Sequence, residues 1–141
     1  MRVSSRADYG VRALFELALR SGQGPVHSKE IASRQEIPEA YLHQVLGALN
    51  RAGLIRSTRG PLGGHELSLQ PSEISVHDIL VALDGIDQRP HPHPDGIGPA
   101  DVVHEVWHEM QEQAEQLLRS ITLQTLVDRQ AERQPTANYV I

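Results

Sequence analysis

The run "IASRQEIPEAYLHQVLGALNRAGLIRSTRGPLGGHELS", residues 31–68, holds two helical patterns, a short junction and a glycine-rich hairpin in immediate succession. Pro38 suits the first position of a helix, because its missing N–H would have no partner there. Leu42, Val45, Leu46 and Leu49 follow at i, i+3, i+4 and i+7, one face of an α-helix, and Gly53 supplies a left-handed stop. Upstream, Ser28 is placed to cap a short helix through "KEIASRQ", with Ile31 and Ala32 facing inward. Two helices so closely joined are a helix-turn-helix, in which the second is presented outward.

After the second helix, Leu54, Ile55 and Thr58 suit a strand, and Leu67 and Leu69 alternate with Glu66 and Ser68. Gly60-Pro61-Leu62-Gly63-Gly64 lies between the two runs and makes the tip of a β-hairpin. A helix-turn-helix followed by such a hairpin is a winged helix. The exposed first turns of its second helix would carry Glu39, Ala40, His43 and Gln44, with Tyr41 beside them, where they can reach base edges in a major groove. Arg56 and Arg59 on the rising strand hold cations at the base of a loop narrow enough for a minor groove. Arg51 and the tip glycines Gly60, Gly63 and Gly64 complete the candidate DNA-contacting set. The bland readings are a solvated helix face for His43 and Gln44, and a hairpin that touches nothing.

Charge favours the first interpretation once it is divided along the chain. The 141 residues carry a net −5, which taken whole argues against a polyanion partner. Residues 1–69, however, hold nine Lys and Arg against six Asp and Glu, a net of +3, whereas the remainder holds four against twelve, a net of −8. A basic half joined to an acidic half assigns polyanion contact to the first half alone.

The flanks complete the first unit, expected to span residues 1–85. In "SSRADYGVRALFELALR", Ser5 and Asp8 suit a capping box, and Val11, Leu14, Phe15 and Ala18 form the apolar stripe of a first helix that stops at Gly22, Gly24 and Pro25. In "ISVHDILVALDG", Ser75 and Asp78 suit another capping box, Ile74 and Ile79 a hydrophobic staple, and Gly85 the stop.

Residues 86–100 include "RPHPHPDGIG", too rich in proline for regular structure, and form a linker or binding loop. Beyond it, in residues 101–141, Val103, Trp107, Met110, Ala114, Leu117 and Ile121 are spaced like a coiled-coil seam. One chain offers that stripe no partner of its own, so a homodimer is expected. A further short helix capped at Ser120 or Thr122 and a frayed tail should follow.

The composition excludes several classes. With no cysteine, disulfides, thiolate metal sites and cysteine nucleophiles are ruled out. No apolar run reaches the length of a membrane span, and the N-terminus lacks a secretory h-region, so the expected location is the cytoplasm. No nucleophile–base constellation or phosphate-binding glycine loop argues for an enzyme.

The motifs "ADYGVRAL", "IASRQEIPEAYLHQVLGALNRAGLIRSTRGPLGGHELS", "ISVHDILVALDG" and the closing "W…ITLQTLV" resemble the Rrf-type family of bacterial winged-helix transcriptional regulators over about residues 1 to 127. The resemblance implies a mainly α fold, a winged helix with a long C-terminal dimerisation helix, and a dimer that binds palindromic promoter DNA, most often as a repressor. Many members hold an iron–sulfur cluster on cysteines between the fourth helix and the dimer helix, and this chain has none. His104 stands where cluster-sensing members often have a histidine, and Asp95 and Asp101 fall near the expected cysteine positions. His43 stands where those members often have an acidic residue.

Two further readings stay open. His91, His93, Asp101, His104 and His108 could form a non-thiolate metal site, the i, i+4 spacing of His104 and His108 being the feature that favours chelation; the alternative is a solvated loop with two surface histidines. The acidic second half could instead dock a protein partner, such as an enzyme on which DNA binding depends, and a cavity beside the dimer helix could take a small effector.

Overall fold

A computed structural model describes residues 3–85 and 100–134. Six helices and one hairpin follow in order: α1 (Ser5–Leu19), α2 (Ser28–Gln35), α3 (Glu39–Arg51), β1 (Ile55–Thr58), β2 (Gly64–Leu67), α4 (Val76–Asp84), α5 (Asp101–Ser120) and α6 (Leu123–Arg133). This is the winged helix expected from the sequence, extended by a long helix and a short returning one.

Local chemistry accounts for most element ends, with three shifts from the sequence reading. The cap of α1 is Ser4 rather than Ser5: its Oγ accepts from Ala7 N at 3.0 Å and donates to Asp84 Oδ2 at 2.7 Å, tying the start of α1 to the end of α4. The cap of α2 is His27 rather than Ser28, its Nδ1 accepting from Lys29 N at 3.3 Å. The reason is tertiary, because Val26 is held in extended backbone by two 2.8 Å hydrogen bonds with His65, and the chain turns helical only after the next residue. Pro38 likewise stands at the cap of α3, one residue before the helix. At α4 the reciprocal Ser75–Asp78 box forms as expected, with bonds of 3.0 and 2.9 Å, and Ile74 and Ile79 are both fully buried. Thr122, one of the two candidates, caps α6.

The core gathers Leu14, Ile31, Leu42, Leu49, Ile74 and Ile79 from four helices and the turn before α4. Apolar positions recurring at helical spacing on α1 and α3 meet here, each stripe burying the other. Leu123 of α6 joins them with no exposed surface, so the core built by the first 85 residues is closed by a residue from beyond the long helix. A charged side chain also lies inside: Glu16 is buried against Arg20, at 3.4 Å, and accepts from Gln35 Nε2 at 3.1 Å. An amphipathic count of α1 carries no signal for it, since the partner that justifies its burial comes from α2.

The hairpin pairs Ile55 with Leu67 and Thr58 with Gly64, antiparallel. Gly63 and Gly64 are both required. A Cβ on Gly63 would collide with the Thr58 backbone, and one on Gly64, at φ 150°, would sit 2.6 Å from the Val26 carbonyl oxygen. The close approach of Val26 to β2 therefore depends on Gly64, and the tight return of the hairpin tip on Gly63.

Candidate nucleic-acid interface

Helix α3 buries Leu42, Val45, Leu46, Ala48 and Leu49, which leaves Glu39, Ala40, His43 and Gln44 exposed along its first turns. Its negative pole and its C-terminal Arg51 lie at the other end, twelve residues along the helix and roughly 18 Å away by helical rise. Arg51 is exposed but is not brought together with the N-terminal turns. Tyr41 is half-buried, its ring edge-on to Tyr9 with centroids 5.2 Å apart, and the Arg12 guanidinium lies 4.8 Å from the Tyr9 ring centre. Its aromatic body thus anchors the start of α3 against α1, and only part of the ring meets solvent.

The hairpin projects beside α3, with β1 packed against that helix. Arg56 and Arg59 are exposed on the rising arm; Arg56 Nη2 faces Glu66 Oε1 at 3.9 Å, a loose surface pair that a phosphate can replace. At the tip Leu62 is 90% exposed, and Gly60 adopts φ 105°. Exposed helix turns with His43 and Gln44, and a hairpin with two exposed arginines, have the chemistry to meet base edges and a sugar–phosphate backbone.

His65 escaped the sequence reading: its Nδ1 lies 2.8 Å from Ser57 Oγ, and its backbone bridges to Val26, the residue before the α2 cap. Only the pairing of residue 26 with residue 65 brings them together, and no local pattern announces it.

A second candidate surface is α5. No residue of this helix is buried; Trp107 is 44%, Met110 51% and Leu117 59% exposed, and Val103 joins them on one stripe with the half-buried Ala114 and Ile121 at its end. Half-buried His104, Gln111 and Leu118 lie on the adjoining flank, three or four residues from Trp107 and Ala114 of the stripe, and α4 packs on α5.

The candidate metal ligands are not gathered in the described part of the chain. His91 and His93, with Asp95, lie outside the described residues. His104 is half-buried, whereas His108 is exposed with Nε2 3.1 Å from Glu112 Oε1. Among the described residues no group of three His, Cys, Asp or Glu side chains is placed to hold a metal ion. Among them, too, no helix is long and apolar enough to cross a membrane.

These features have counterparts in known proteins. The family model Rrf2, described as an iron-dependent transcriptional regulator, matches residues 3–129. The HTH-type transcriptional regulator IscR of Serratia proteamaculans is 36% identical over 133 residues, covering 92% of this chain and 81% of the relative. Among solved structures, T. potens IscR superimposes with a TM-score of 0.82 at 37% identity, over 99% of this chain and 95% of that one. CymR, the global cysteine regulator of B. subtilis, gives 0.79 at 31% identity, over 92% and 98%. These relatives are regulators rather than enzymes. A cysteine-held iron centre does not fit here, because the chain supplies no thiolate donor. With its winged helix, its exposed α3 turns and a match spanning nearly its whole length, the chain belongs to the Rrf2 family of transcriptional regulators.

Proposed function

We propose that this protein is a homodimeric transcriptional repressor of the cytoplasm that holds palindromic promoter DNA without an iron–sulfur cluster. One observation carries the reading: the first turns of α3 are exposed, and the hairpin whose β1 packs on that helix carries the exposed Arg56 and Arg59. Gln44 is suited to adenine in the major groove and Arg59 to the minor groove, while Arg56 exchanges its Glu66 partner for phosphate. The apolar stripe Val103, Trp107, Met110, Ala114, Leu117 and Ile121 supports pairing of two α5 helices, which would set two α3 helices against half-sites about one helical turn apart. Regulation follows from occupancy of the promoter, and no step of it uses a cysteine-held cluster.

The test is fluorescence anisotropy of the full chain on labelled DNA from upstream of its own gene, against a scrambled duplex. Saturable binding that prefers the upstream duplex and weakens steeply with salt is expected. Equal affinity for both duplexes would overturn the reading, and a binding curve that appears only after a second protein is added would replace it with partner-dependent docking.

A further inference from the structure

The tip of the wing is a four-residue turn that every residue but one helps to shape. Gly63 N donates to Gly60 O at 2.9 Å, closing the turn around Pro61 and Leu62. Pro61 fixes its own φ at the first corner. Gly60 takes φ 105°, and a Cβ on Gly63 would lie 2.8 Å from the Arg59 carbonyl carbon, so both ends of the turn require glycine. Leu62, at the second corner, needs no left-handed backbone. Its side chain is 90% exposed, more than that of any other large apolar residue among the described residues.

The fold makes no use of this side chain. A polar residue would serve the turn as well, and the hairpin is anchored at its other end, where Leu54, Ile55 and Leu67 join the core. Burial of a leucine is favourable wherever it is found, so Leu62 is free to be covered by whatever the wing meets. The neighbouring residues define that surface. From Ser57 to Gly64, Arg59 is the one charged residue, so the tip carries a cation and no carboxylate. Arg59 immediately precedes the turn, and Arg56 lies further down the same arm; both are exposed. An apolar tip next to a cation matches a groove walled by phosphates and floored by bases.

We propose that Leu62 is an apolar wedge: the wing presses it into the minor groove, where it parts two stacked base pairs and bends the duplex. The inference rests on the DNA-binding reading above. With glycine at positions 60, 63 and 64, Pro61 and Leu62 are the only side chains of the tip, which keeps it slim enough for the leucine to reach the groove floor. The closed turn and the proline hold the wedge stiffly, so entry costs little ordering of the protein. Arg59 holds the adjoining phosphates while Leu62 exchanges water for base faces. Unstacking is least costly at pyrimidine–purine steps, so Leu62 also gives the protein a preference for such a step beside the stretch that α3 reads.

The experiment uses the full chain and the same upstream duplex, carrying a donor dye at one end and an acceptor at the other. Energy transfer reports the bend, and anisotropy reports affinity. The wild type should bring the duplex ends closer on binding. Leu62→Ala should abolish most of that change and bind about 5-fold more weakly, since the lost burial is partly offset by unstacking that no longer occurs. Its salt dependence should match that of the wild type, because no phosphate contact is removed. Leu62→Met, apolar and of similar volume, should restore both bend and affinity. The position is exposed and outside the core, so these variants keep the fold. A wild-type complex with an unbent duplex, or a bend that Leu62→Ala retains, overturns the inference and leaves DNA binding intact. Absence of saturable binding by the wild type overturns the DNA-binding reading and this inference with it.

Discussion

Leu123 N donates to the Ile74 carbonyl oxygen at 2.9 Å, and the Leu123 side chain is fully buried in the core that Ile74 helps to build. Val76 N returns the bond to Ile121 O at 2.8 Å, so the chain leaving the long α5 helix is sewn to the start of α4 before α6 packs on α1. Leu123→Ala should therefore destabilise the whole winged helix by about 2 to 5 kcal/mol, the range for truncating a buried leucine. Chemical denaturation followed by circular dichroism checks it. A variant melting with the wild type would show that α6 is an accessory.

Gly64→Ala should cost about 1 to 3 kcal/mol, because it imposes a side chain at φ 150° and pushes a Cβ against Val26. The damage should reach past the hairpin: the Val26–His65 bridge positions the α2 cap, so amide exchange at Val26 and His65 should accelerate together. Protection retained at both amides would count against this linkage.

Arg59→Ala should weaken binding to the upstream duplex by more than about 1 kcal/mol and reduce the slope of log affinity against log salt by about one. Unchanged affinity at physiological salt would mean that the wing stands clear of DNA.

Glutamates placed on the α5 stripe should separate the protomers. Met110 and Leu117 are both more than half exposed in the single chain, and each apolar side chain of this size contributes about 1.5 to 3 kcal/mol when buried. The double variant Met110→Glu, Leu117→Glu is expected to run at monomer mass in light scattering and to keep its helical content. Dimer mass in that variant would place the interface elsewhere.

Acid should loosen the fold through His65. Burial, then His43 and His27, lower its proton affinity in the folded state, so the unfolded chain takes up the proton first. The stabilising contribution is complete above the ordinary imidazole value of about 6.5 and is lost progressively as the pH falls below it. His65→Gln should show a shallower decline in melting temperature below that pH, and an identical decline would remove His65 as the cause.

Much of this molecule was written into local pattern. The stripe Leu42, Val45, Leu46, Leu49, the Ser75–Asp78 box and the glycine-rich tip each state a short-range requirement of periodicity, capping or turn geometry, which neighbouring residues satisfy among themselves. The exposed α3 turns followed from the same stripe, and the absence of cysteine settled the donor chemistry by composition alone. Tertiary structure decided the rest. It moved the α2 cap from Ser28 to His27, because Val26 is claimed by a strand nearly forty residues away. It buried Glu16 beside a glutamine of another helix, carried Leu123 back into the first unit's core, and bridged Val26 to His65. Each of these is a pairing between distant segments, whose free energy depends on which surfaces meet when the core closes, and no window of consecutive residues contains that information.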